Sequence, residues 1–140
     1  VSLKLDTECI RYIALFENLT GTAPRDCMVM DDQVVFVIKP GEMGLAIGKN
    51  GEHVNRVKKA LSKHVEIVEY AEKPEEFLVN AFRPVVPRKI NITRKEDKTT
   101  AYVEVPVLEK GLAIGKNGRN IKKIRNLAKR HHNIDHVIIQ

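Results

Sequence analysis

The chain has 140 residues, room for one ordinary domain or two small ones. Apolar residues make up 43%, which excludes disorder by composition, and no apolar run approaches the ~20 residues of a membrane span. The net charge of +6 is uneven: residues 1–73 carry 10 Lys/Arg against 11 Asp/Glu, and residues 74–140 carry 14 against 7. The whole surplus lies in the second half, as an anionic partner there would require.

Val1–Asp6 lacks the basic-then-apolar layout of a secretory signal, so a cytoplasmic protein is expected. Thr7–Leu19 has helical periodicity, which Gly21, Pro24 and Asp26 break. Cys27–Met30 reads as a short strand, Asp31-Asp32 as a turn, and Val34–Ile38 as a second strand. Gly44–Gly51 reads Gly-Leu-Ala-Ile-Gly-Lys-Asn-Gly. Val54, Val57 and Leu61 then mark one apolar helix face, and Val65–Val68 a third strand. After a short linker near Ala71–Lys73, Pro74 suits a first helical position. That helix should end near Phe82, because Pro84 restricts Arg83. Lys89–Thr93 and Ala101–Val105 read as strands around a turn at Glu96-Asp97-Lys98. Residues 111–118 repeat the eight letters of 44–51 at an offset of 67. Ile121, Ile124 and Ala128 then mark a helix face, and His136–Ile139 a last strand.

Each half therefore reads helix, strand, strand, short helix, loop, helix, strand. The fold class is α+β, with one unit over 1–72 and a second over 73–140. Cys9 and Cys27 belong to no Cys-x-x-Cys pair and read as small, reduced core residues.

The repeated loop has a definite chemistry. Two glycines three apart allow close approach of backbone to ligand. The next helix starts at the second glycine and offers unpaired N–H groups to a phosphate. Lys49 or Lys116 adds a positive charge, and Asn50 or Asn117 tolerates left-handed backbone. Residues 118–131 hold six Lys/Arg and no acid, with Arg119, Lys122, Lys123 and Arg130 read on one face. The matching face of the first copy holds Glu52, Arg56, Lys59 and Lys63, a weaker set because Glu52 stands where Arg119 does. A nucleotide-binding P-loop fails on spacing: three residues, not four, separate Gly44 from Gly48 and Gly111 from Gly115, and Asn replaces the magnesium-binding hydroxyl.

Ala46–Val54 and Ala113–Ile121 both resemble the signature of the KH domain. The resemblance implies a Gly-x-x-Gly loop that clamps about four nucleotides of single-stranded RNA by their backbone. The loops, the isoleucines that enter them and the charged helix faces together give the expected RNA-binding set: Ile47, Gly48, Lys49, Asn50, Gly51 and Arg56, then Ile114, Gly115, Lys116, Asn117, Gly118, Arg119, Lys122 and Lys123. Val54 and Ile121 would line the groove floor or the core beneath it. Of the two KH topologies, one needs a further strand and helix after the loop helices. The other, type II, begins with a helix and two strands and ends on a strand. With the sequence stopping at Gln140 the second half resembles type II, and the first half, with its leading helix, agrees: α-β-β-α-α-β, a three-stranded sheet packed against helices.

A tandem of this length resembles the archaeal NusA family of transcription termination and antitermination factors. The resemblance names RNA polymerase or other transcription factors as further partners, and neither cofactor nor metal. Bacterial NusA also carries a polymerase-binding domain and an S1 domain, for which 140 residues leave no room. The alternative is a KH protein of ribosome assembly or another ribonucleoprotein particle. An enzyme is disfavoured: none of His53, His64, His131, His132 or His136 sits in a hydrolase or zinc-binding pattern. At 5% aromatic residues the chain lacks the stacking platforms of RRM or OB readers.

Overall fold

The computed structural model describes residues 6–31 and 33–140. Most of the Val1–Asp6 segment, and Asp32 of the Asp31-Asp32 turn, lie outside them. The described residues divide into two units, with the boundary between Ala71 and Glu72.

In the first unit α1 spans Thr7–Thr20. The Asp6 carboxylate caps it by accepting from the Cys9 N–H at 2.8 Å, and Gly21, at φ 87°, closes it. β1 (Asp26–Met30) pairs antiparallel with β2 (Gln33–Ile38), across a turn in which Asp31 has φ 51°. β2 pairs in parallel with β3 (His64–Glu69), giving the order β1-β2-β3. Parallel neighbours need a crossover. Here it is α2 (Met43–Ile47), the glycine loop and α3 (Glu52–Leu61).

β2 is buried along its whole length. Its inward residues Val34, Phe36 and Ile38 meet Phe16 of α1 and Val57 of α3 in one core, with the Phe16 and Phe36 rings 4.4 Å apart. Cys9 and Cys27 belong to this core and are free thiols, with the Cys9 Sγ donating to the Cys27 carbonyl at 3.3 Å. Along α3, Val57 is fully buried, while Val54 and Leu61 are half-buried at its edge.

The second unit repeats the plan. α4 runs Pro74–Phe82, with Pro at its start and Glu75 and Glu76 in the first turn, where the helix dipole favours acids. It stops where Arg83 turns extended ahead of Pro84. β4 (Lys89–Lys95) and β5 (Lys98–Glu104) form a hairpin, and both loop residues, Glu96 and Asp97, have positive φ, as a type I′ turn requires. β6 (His136–Ile139) pairs in parallel with β5. α5 (Lys110–Ile114) and α6 (Arg119–His132) form the crossover. Ile124, Leu127 and Ala128 of α6 are fully buried, as are Phe77 and Leu78 of α4, which packs on α6. Ile124, Leu127, Phe77 and Leu78 each contribute about 1.5–3 kcal/mol by leaving water. Beyond α6, Asp135 accepts from Lys129 Nζ at 2.7 Å and from the Thr99 N–H at 2.9 Å. These bonds, the lysine's first, hold its carboxyl at a pKa of about 2. Each unit begins with a helix and two strands and ends on a strand, the order of a type II KH domain.

Candidate nucleic-acid interface

Both loops join a five-residue helix to a longer one through the same backbone path. Gly48 (φ 75°, ψ 172°) matches Gly115 (80°, 167°), Asn50 (56°, 29°) matches Asn117 (57°, 28°), and Gly51 (75°, 13°) matches Gly118 (72°, 14°). The two copies thus agree in shape as well as in letters. Left-handed angles suit Gly and are tolerated by Asn, which accounts for Asn-Gly at these positions.

The longer helices begin at Glu52 and Arg119, one residue later than the sequence suggests, with Gly51 and Gly118 as their caps. Neither cap supplies a side-chain acceptor. The first-turn amides of α3 and α6 therefore keep the positive end of the helix dipole beside the loop. Lys49, Asn50, Lys116 and Asn117 are exposed there.

The first glycine of each loop has a role other than approach to a ligand. A Cβ on Gly48 would lie 2.6 Å from His53 Cγ, and one on Gly115 would lie 2.7 Å from Asn120 Cβ. Each is packed against its own helix. The second glycines have room: the nearest atoms are Asn55 Nδ2 at 3.5 Å and Ile121 Cγ2 at 3.9 Å. His53 Nδ1 lies 2.7 Å from the Leu45 carbonyl, and Asn120 Nδ2 donates to the Ala113 carbonyl at 2.8 Å. Sequence reasoning counted His53 only among the histidines and passed over Asn120. Their shared place, two residues after the second glycine, was the available signal.

Arg119 and Lys122 are exposed on α6, beside the loop. Lys123 is not: it is 3% exposed and has a partner within the chain. This corrects the single charged face read from the sequence. At 3.6 residues per turn, Lys123 stands about 40° from Arg119 and about 40° from Leu127. α4 and β6 both pack on α6, so its buried arc is wider than an apolar stripe indicates. Arg130 is half-buried by the same packing. In the first unit Arg56 is exposed but forms an ion pair with Glu52 one turn earlier. Lys63 is half-buried, its Nζ 5.6 Å from the Tyr12 ring centroid. Ile47 and Ile114 are 38% and 43% exposed at the loop entrances, where Leu45 and Leu112 are also exposed. Ile121 is buried, so it belongs to the core beneath and not to a groove floor.

Among the described residues no three His, Cys, Asp or Glu side chains are grouped to hold a metal ion. His131 and His132 instead face the Phe77 ring, at 5.5 and 5.2 Å between centroids.

The KH domain model matches residues 10–80, and the model for the NusA-like second KH domain matches residues 74–139. The probable transcription termination protein NusA of Halococcus morrhuae is 41% identical over 133 residues, 95% of each chain. The chain belongs to the NusA family. The NusA of Halobacterium salinarum is 39% identical over 98% of each chain, and that of Methanococcus vannielii 34% identical over 91% of this chain and 74% of its own. The crystal structure of APE1850 superposes with a TM-score of 0.84 over 97% of this chain and 100% of that one, at 31% identity.

Proposed function

We propose that this NusA-family chain is a transcription termination factor that binds single-stranded RNA and clamps its sugar-phosphate backbone with the two glycine loops. The observation that carries this reading is the pair of loops with one backbone path, each presenting a lysine beside a helix N-terminus whose glycine cap supplies no side-chain acceptor. The contact set is Ile47, Gly48, Lys49, Asn50, Gly51 and Arg56 in the first unit, and Ile114, Gly115, Lys116, Asn117, Gly118, Arg119 and Lys122 in the second. Lys123 is not a member. Charge ranks the two loops. Arg119 and Lys122 flank the second, while the Glu52–Arg56 pair neutralises the matching position of the first. The family membership favours a role with the transcription machinery over one in a ribonucleoprotein particle, with RNA polymerase or another transcription factor as a second partner. No helix among the described residues is long and apolar enough to cross a membrane, and the cytoplasm is the compartment this role implies. Footprint length tests the tandem reading. Affinity for a series of RNA oligomers should keep rising past the about four nucleotides that one loop clamps. Saturation at that length would leave one loop idle and refute the two-loop clamp.

A further inference from the structure

Resting on the RNA reading above, we infer that His53 and Asn120 are positioning residues that lock the two loops into their gripping shape without touching RNA. Both follow the second glycine by two residues, and both reach back across the first glycine to the short helix. The His53 ring meets the Leu45 carbonyl at 2.7 Å, and the Asn120 amide meets the Ala113 carbonyl at 2.8 Å. Carbonyls in the last turn of a helix have no intrahelical donor, so each side chain satisfies an otherwise orphaned acceptor. A carbonyl accepts only, which requires the proton of His53 on Nδ1 and the NH₂ group of Asn120 toward Ala113. The longer imidazole reaches eight residues back and the amide seven. Two different side chains thus perform one operation, and an N–H donor of sufficient reach is what they share.

The first glycine completes the lock. At Gly48 and Gly115 a Cβ would come within 2.9 and 2.8 Å of the backbone nitrogens of His53 and Asn120, so the glycine and its partner seat against each other. Between glycine and clip lie Lys49-Asn50 or Lys116-Asn117, the residues that present charge and amides to RNA. Releasing the clip frees the helix junction without altering the charge of the loop.

The test uses the full chain with Asn120→Ala and Asn120→His, and the reciprocal His53→Ala and His53→Asn. It reads Gly118 amide exchange in the free protein and affinity for a labelled single-stranded RNA over a salt series. The Gly118 N–H donates to the Gly115 carbonyl at 3.0 Å and so reports the loop directly. Asn120→Ala should speed that exchange and weaken RNA binding about threefold to tenfold, the worth of one hydrogen bond. The slope of affinity against salt should not change, because no cation is lost. Asn120→His should restore exchange and affinity, since the first unit already uses histidine there. The inference is overturned if Asn120→Ala binds RNA like the unsubstituted chain, if Asn120→His is as weak as Asn120→Ala, or if the salt slope falls with the affinity. If the unsubstituted chain binds no RNA, the RNA reading falls, and the Gly118 exchange rate alone decides the clip.

Discussion

Charge reversal in the second loop gives the sharpest measure of the clamp. Replacing Lys116 and Asn117 together by Asp swings the loop by three unit charges, two at the lysine and one at the asparagine. Both side chains are exposed, and Asp shares the tolerance of Asn for the φ of 57° at position 117, so the backbone can keep its path. Two unit charges about 4 Å apart in water interact by about 1 kcal/mol. Three units against a seated phosphate therefore cost about 2–3 kcal/mol, which is about 30- to 150-fold in Kd. Fluorescence anisotropy with a labelled single-stranded RNA measures the loss, and thermal denaturation checks that the fold is intact. The salt slope should also become shallower by about 0.7, the value of one phosphate neutralised on a single strand. The reversal at Lys49 and Asn50 should cost less, because the Glu52–Arg56 pair already weakens that loop. A folded Lys116→Asp, Asn117→Asp protein that binds less than about fivefold more weakly, with its salt slope unchanged, would refute the clamp.

Three other outcomes follow from particular contacts. Glu52→Gln releases Arg56 and removes an acid beside the first loop, so RNA affinity should rise about two- to fivefold, and an unchanged affinity would place Arg56 outside the site. Gly118→Ala meets only an ordinary contact with Ile121 and carries the left-handed penalty of about 1–2 kcal/mol, whereas Gly115→Ala adds overpacking of about 1–3 kcal/mol against Asn120. For a unit of this size each kcal/mol lowers Tm by about 4–8 °C, so equal Tm losses in the two variants would refute the packed-glycine account. The Asp135 carboxyl is depressed from 3.8 to about 2 in the folded chain, first by Lys129 and then by Thr99. Its contribution to stability is complete above pH 3.8 and is lost as pH falls through about 2. Acid unfolding of Asp135→Asn should lack that component, and a curve identical in shape to that of the parent would show the network to be idle.

Much of the fold was legible because local chemistry and pattern agree. Pro74 and Pro84 mark both ends of α4, and the strand bounds follow the β-branched runs to within a few residues. The loops announced themselves by repetition. What stayed hidden depended on partners distant in sequence. A stripe of Ile121, Ile124 and Ala128 marks one apolar face, but no local pattern shows that α4 and β6 both cover α6, so Lys123 read as solvent-facing. The first glycines read as openings for a ligand because their crowding by His53 and Asn120 exists only once the helix has turned. Glu52 and Arg56 read only as members of one helix face, and nothing local showed that they form an ion pair that occupies the arginine assigned to RNA.

The two thiols of the first core bear on how this chain can be handled in the laboratory. Cys9 and Cys27 are 5% and 0% exposed, and burial pushes the Cys27 thiol far above its ordinary range. Alkylating reagents attack thiolates that solvent can reach, and the folded chain offers them neither condition at Cys27 and almost no access at Cys9. A single cysteine introduced on the surface, Lys98→Cys for instance, would then be the preferred site for a maleimide dye while both native cysteines stay in place. Distance measurements on RNA-bound protein could proceed without stripping the core that holds the first loop.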